Sequence, residues 1–201
     1  GGSNAVAVID PTVDPPAVTT IPVQSRPTGI VASPDGRWVY VANTRGVSVS
    51  VIDARTNTVA ATFSTRSFPI GLALSPDGQR LYVAQPLDFS IGVYDTGSQS
   101  EVGRVRHSGH AMVSAALSPD GRYVFAGSQN NSSIHVIDTA TLTEIRHLNG
   151  MPTPGIAFTP DGRQAYLATN RVGVVDVDHL VFAASVNTTG TPFGAAVTAD
   201  G

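Results

Sequence analysis

Short apolar segments alternate with polar turns along the whole chain, and the apolar positions follow a period of two. In the segment from Val47 to Asp53, valine alternates with serine, so the valines share one face of a strand. The segment from Arg37 to Asn43 is rich in β-branched and aromatic residues and is too short for a stable helix. The 20 glycines and 14 prolines would also break helices. The pattern therefore predicts an all-β protein.

One repeating unit contains four such strands. The apolar run from Gly29 to Ser33 leads into Pro34-Asp35-Gly36, in which proline presets φ, aspartate bonds nearby amides and glycine accepts a positive φ. The second and third strands follow this turn. After a second polar turn, residues 58–64 form a fourth strand. The unit is thus a four-stranded antiparallel sheet.

The turn after the first strand recurs about every 40 residues. Its copies are Ser33-Pro34-Asp35-Gly36, Ser75-Pro76-Asp77-Gly78, Ser118-Pro119-Asp120-Gly121, Thr159-Pro160-Asp161-Gly162 and Thr198-Ala199-Asp200-Gly201. The second strands are apolar on both faces, as a sheet needs when it is covered by two neighbours. Four-stranded sheets that stack in this way are the blades of a β-propeller.

We expect one propeller domain over residues 1–201. Complete blades are predicted at 26–66, 67–109, 110–150 and 151–190, with the end of a partial blade at 1–25 and the start of another at 191–201. Pairing of a strand at 192–198 with the strand Ala5 to Asp10 would close a five-bladed ring with an incomplete blade. The alternative, which the missing second strand favours, is a piece of a longer propeller of about seven blades.

Composition narrows the range of partners. The net charge is −3, so neither nucleic acid nor an anionic membrane is an expected partner. No apolar run approaches the roughly 18 residues of a membrane span, and with no cysteine the chain has no disulfide and no thiolate metal ligand.

The second strands resemble a known repeat. Trp38-Val39-Tyr40-Val41-Ala42-Asn43 and Ala165-Tyr166-Leu167-Ala168-Thr169-Asn170 are similar to the YVTN-type β-propeller repeat of prokaryotic surface-layer, periplasmic and secreted proteins. The resemblance implies a propeller and a periplasmic or extracellular location. It leaves function open, because similar propellers act as structural modules, binding proteins, lactonases and lyases.

Most of the 15 acidic residues have structural explanations. Ten fall in turns: Asp35, Asp77, Asp120, Asp161 and Asp200 in the first turn of each unit, and Asp10, Asp53, Asp95, Asp138 and Asp176 at the end of the third strand. Glu101 and Glu144 lie on outer strands and are predicted to be structural or solvated. Few carboxylates are left for catalysis.

The five histidines divide into two groups. His135 and His147 lie within strands and are interpreted as ordinary sheet residues. His107 and His110 lie in a connection between blades, where propeller ligands commonly bind near the mouth of the central channel. Neutral imidazole is a frequent metal ligand, but this loop offers no third ligand, and a Glu from another blade would have to complete a site. We therefore predict no metal site.

The connections at the channel mouth supply the remaining candidates for ligand binding, since Arg and aromatic residues are enriched in interfaces. With the two loop histidines, the predicted binding residues are Arg26, Arg66, Phe68, His107, His110 and Phe193. No catalytic or cofactor-binding motif occurs, so no cofactor is predicted. The main hypothesis is a non-catalytic scaffold that binds a protein or cell-surface partner. The alternative is a lyase or lactonase-like enzyme at the channel mouth, with His107 or His110 as acid or base.

Overall fold

The strands of the protein form where the period-two segments predict them. The structure is a computed structural model that describes residues 4–130, 132–149, 155–168, 171–190, 192 and 194–198. The amino-terminal sheet has two strands, β1 (Ala5–Asp10) and β2 (Ala17–Pro22). Each of the four following sheets has four antiparallel strands. The predicted β-propeller blades are confirmed.

The blades follow one another along the chain. Blade 1 has strands β3 (Pro27–Ala32), β4 (Trp38–Asn43), β5 (Ser48–Asp53) and β6 (Thr58–Ser64). Blade 2 has β7 (Leu72–Leu74), β8 (Arg80–Gln85), β9 (Ser90–Asp95) and β10 (Ser100–Arg106), with a 3₁₀ turn at Pro86–Asp88. Blade 3 has β11 (Met112–Leu117), β12 (Tyr123–Ser128), β13 (Ser133–Asp138) and β14 (Thr143–Asn149). Blade 4 has β15 (Gly155–Phe158), β16 (Gln164–Ala168), β17 (Val172–Asp176) and β18 (Val181–Val186).

The recurring turn is held by its own side chains. In blade 3, the Ser118 hydroxyl donates to Asp120 Oδ1 over 2.6 Å, and the same carboxylate oxygen accepts the Arg122 amide at 3.0 Å. Gly121 has φ 75°, which glycine adopts without strain. A Cβ on Gly121 would lie 3.1 Å from Cδ of Pro76, so the turn also packs against the corresponding turn of blade 2.

The first strand of each blade lies innermost, against the first strand of the next blade. A Cβ on Gly71 would lie only 2.8 Å from Cα of Ser114, so the two backbones approach too closely for any larger residue. Successive blades bury apolar side chains between them. The layer between blades 2 and 3 includes Tyr82, Ile91, Val93, Met112, Val124 and Ile137.

The amino-terminal sheet packs against blade 1 through Ile21, which contacts Val41 and Ile52. Closure of a five-bladed ring, the less favoured of the two predicted arrangements, is not observed among the described residues. In the described part of the chain, β1 pairs with β2, and residues 192 and 194–198 form no strand. Gly194 instead lies beside Gly155, and a Cβ on Gly155 would come within 2.6 Å of the Gly194 Cα. The first strand of a further blade would occupy this position.

No helix among the described residues has the length and apolar character that a membrane span needs.

Candidate functional site: a histidine cluster between blades 2 and 3

Four of the five histidines meet beside blade 3. His107 and His110 lie in the connection from β10 to β11, His135 lies in β13 and His147 in β14. His135 and His147 are directly opposed across the β13–β14 ladder. We call these four residues together with Glu144 the histidine cluster. Because β13 and β14 are the outer strands of the blade, the cluster occupies the crevice between blades 2 and 3 rather than the innermost layer of strands.

A β-bulge brings Glu144 into this cluster. In a regular strand, Glu144 and His147 would point to opposite faces, since their spacing is odd. The register shifts between Val136 and Ile137, so that Glu144 pairs with Ile137 while His147 pairs with His135. The extra residue places Glu144, His135 and His147 on one face, toward blade 2.

The ring nitrogens of His110, His135 and His147 converge. His110 Nδ1 lies 3.0 Å from His135 Nε2, and one ligand atom from each residue lies within 4.8 Å of the others. The His135 and His147 rings are stacked with centroids 4.4 Å apart. His110 is half-buried and His147 is exposed, so this group of nitrogens is open to solvent on one side.

A second group lies on the other side of the His135 ring. His107 Nδ1 is 2.8 Å from Glu144 Oε2, and His135 Nδ1 is 3.1 Å from the same oxygen but outside hydrogen-bond geometry. The side chains of His107 and His135 are 2% and 1% exposed, whereas that of Glu144 is 31% exposed. Among the described residues, His107 Nε2 and His135 Nδ1 have no hydrogen-bond partner. Buried polar atoms without partners are uncommon in stable proteins.

Burial controls the charge of these histidines. Burial lowers the pKa of His135 to about 4, although the carboxylate of Glu144 opposes the shift. Burial likewise lowers the pKa of His107, again against the effect of Glu144. Burial works to raise the pKa of Glu144, but the two imidazoles that contact it outweigh burial and hold that pKa below its ordinary value. Near neutral pH, His107 and His135 are therefore neutral imidazoles and Glu144 is a carboxylate, which are the forms that bind metal ions.

The structure describes five of the six predicted binding residues. His107 and His110 belong to the cluster. Arg26 is exposed in the connection before blade 1, and Arg66 and Phe68 are exposed in the connection before blade 2. Phe193 lies outside the described residues.

Sequence reasoning missed three members of the cluster. His135 and His147 lie in strands as predicted, and both of them and Glu144 belong to groups that could hold a metal ion. The available signal was the concentration of four histidines between positions 107 and 147, which no other part of the chain repeats.

The separation between two of the ring nitrogens in the cluster suits a small cation. Zn²⁺ binds imidazole nitrogen at about 2.0–2.1 Å, which places the nitrogens of a tetrahedral site about 3.4 Å apart. The 3.0 Å between His110 Nδ1 and His135 Nε2 is close to that separation. Three protein ligands leave one coordination position for water or a substrate oxygen.

Comparisons with known proteins agree with the fold. No curated protein sequence matches this chain. A solved structure of hydrazine synthase from Kuenenia stuttgartiensis superposes with a TM-score of 0.73 and 27% sequence identity, over 82% of this chain and 50% of that chain. This chain therefore spans half the length of the hydrazine synthase chain it resembles.

The family match is to a propeller family other than the YVTN repeat expected from the sequence. The family model of the cytochrome D1 heme domain matches residues 46–190, which include the whole histidine cluster. The comparisons thus support a β-propeller without singling out the YVTN type, and the chain belongs to the cytochrome D1 heme domain family.

Proposed function

We propose that this propeller binds a divalent transition-metal ion at His110, His135 and His147, and that the ion serves metal-assisted chemistry on an oxygen-containing substrate. The observation that carries the proposal is the convergence of three imidazole nitrogens within 4.8 Å at a crevice open to solvent. Imidazole ligands suit Zn²⁺, Cu²⁺, Ni²⁺ and Fe²⁺. A metal-bound water is a nucleophile or base at neutral pH, and the ion polarises a bound carbonyl oxygen.

Heme, which the family name implies, does not fit this site. Three imidazole nitrogens lie within 4.8 Å of one another, whereas the iron of a heme leaves two axial positions on opposite faces of a macrocycle. The histidine rings also lie with centroids 4.4–5.8 Å apart, so they pack against one another instead of bordering a flat slot. A cavity of about 760 Å³ between blades 1 and 2 is lined by residues such as Trp38, Tyr40 and Gln99 and by no histidine.

A metal centre favours the enzyme alternative over the purely structural scaffold. The proposed site lies between two blades rather than at the channel mouth, and its reaction class is that of a lyase or hydrolase, in which the ion stabilises negative charge on oxygen. A periplasmic or extracellular location belongs to the same proposal, as does any protein or cell-surface partner. Membership of the family supports the location.

Zinc binding by the purified chain tests the proposal. We expect isothermal titration of the chelator-treated protein with Zn²⁺ to give binding that His147→Ala weakens at least tenfold. His147 is exposed, so this change leaves the core intact. The matched control is His179→Ala, because His179 is exposed and pairs with Asp176 outside the cluster. Absence of zinc binding by the unaltered chain, or equal weakening by both variants, would overturn the proposal.

A further inference from the structure

We propose that the histidine cluster holds two metal ions, with the imidazole of His135 as a bridge between them. The inference rests on the proposed function, which supplies the first ion at His110, His135 and His147. The second ion binds His107, Glu144 and the other ring nitrogen of His135. These three residues also place one ligand atom each within 4.8 Å of one another.

The two groups use opposite nitrogens of one ring. His135 Nε2 faces His110 Nδ1 at 3.0 Å, and His135 Nδ1 faces Glu144 Oε2 at 3.1 Å. The lone pairs of the two nitrogens diverge in the plane of the ring. Two ions at the usual metal–nitrogen distance from them would lie about 6 Å apart, without competing for a coordination position.

The second group has the features of a ligand set. His107 and His135 are almost fully buried, and His135 Nδ1, which faces Glu144, has no hydrogen-bond partner among the described residues. Glu144 Oε2 lies within 3.1 Å of nitrogens from both histidines. Its carboxylate supplies the negative charge that a second cation needs, and its partial exposure gives the ion a path from solvent.

Binding of the second ion has a definite proton balance. Neutral His135 carries one ring proton, which lies on Nδ1 once Nε2 binds the first ion. The second ion takes the place of that proton, which is released to solvent. The ring becomes a bridging imidazolate, and its charge together with that of Glu144 offsets part of the charge of the two ions.

An outer-shell role for Glu144 is the competing explanation. Metal-bound histidines commonly donate their second N–H to a carboxylate. In that case one ion binds, and Glu144 only orients His135. The two arrangements differ in stoichiometry, which can be measured directly.

Equilibrium dialysis against Zn²⁺ with elemental analysis distinguishes them. We expect two ions per chain for the unaltered protein, one for Glu144→Ala, one for His147→Ala and two for the His179→Ala control. Glu144 is on the surface strand, so its truncation should not unfold the chain. With Cu²⁺ as the probe, the second equivalent should reduce the paramagnetic resonance signal, because an imidazolate couples the two spins.

Stoichiometries other than the expected ones show which of the two proposals fails. One ion in the unaltered chain that survives Glu144→Ala would overturn the bridged pair and keep the proposed function. One ion lost with Glu144→Ala but kept in His147→Ala would overturn both, as would no bound ion.

Discussion

The metal-free protein is expected to lose stability as the pH falls from 6.5 toward 4, because His135 is buried as neutral imidazole. Its pKa in the folded protein is about 4, against an ordinary value of 6.5 in the unfolded chain. Between these values the unfolded chain binds the proton and the folded protein does not, so acid favours unfolding. The difference of 2.5 pKa units corresponds to about 3 kcal/mol at 1.36 kcal/mol per unit. The stabilisation is fully present above pH 6.5.

Urea unfolding at several pH values tests this in the presence of a chelator. The free energy of unfolding of the unaltered protein should fall by about 3 kcal/mol more between pH 7.5 and 4 than that of His135→Gln. His179→Gln is the control, because Asp176 raises the pKa of exposed His179, so that any stability from this pair is lost as the pH rises. Equal acid losses in the unaltered protein and His135→Gln would refute the reasoning.

Two further substitutions test the packing between blades. Phe125→Ala should lower the free energy of unfolding by about 3–5 kcal/mol, because the ring is fully buried and packs edge-on against Phe158. Phe68→Ala, at a 37% exposed site, should change the free energy of unfolding by less than about 1 kcal/mol. Similar losses for the two variants would contradict the assigned core. Gly71→Ala should cost about 1–3 kcal/mol in thermal or urea unfolding through contact with the neighbouring backbone, whereas Gly190→Ala, with open space around its Cβ position, should be near neutral.

Local interactions explain why the sequence predicts the blades so well. Each turn is specified by residues within five positions of one another, such as Ser118, Asp120 and Tyr123, whose bonds close the hairpin. Strand alternation is equally local. The chemistry of the cluster is not local, because His107 meets Glu144 across 37 positions and His110 meets His135 across 25.

The β-bulge in the fourth strand is the second reason why the sequence does not predict the cluster. All four blades shift register between the third and fourth strands, and the unpaired residues are Ala60, Val102, Ile145 and Ala183. These residues share no turn-forming chemistry, so alternation alone assigns Glu144 to the wrong face. The pairing of Glu144 with Ile137 across the two strands shows the face on which Glu144 lies.

The repeated bulge also reveals what blade 2 holds at the equivalent positions. Glu101 corresponds to Glu144, and Arg104 corresponds to His147, since Arg104 pairs with Gly92 as His147 pairs with His135. Arg104 donates to both carboxylate oxygens of Glu101, at 2.7 and 2.6 Å. The same bulged strand pair therefore positions an ion pair in blade 2 and the clustered imidazoles in blade 3.

This correspondence indicates that His147→Arg removes a metal ligand without disturbing the backbone of the strand pair. A guanidinium has no lone pair for a metal, and in His147→Arg it is expected to bind Glu144 as Arg104 binds Glu101. The variant should show no zinc binding by calorimetry, because position 147 no longer supplies a ligand to the first ion and the guanidinium occupies the carboxylate that the second ion needs. Its free energy of unfolding should stay within about 1 kcal/mol of that of the unaltered chain. Zinc binding at unaltered strength would show that His147 is not a ligand. Because the corresponding strand pair already holds arginine in blade 2, loss of zinc binding with retained stability would separate the chemistry of the cluster from the architecture that supports it.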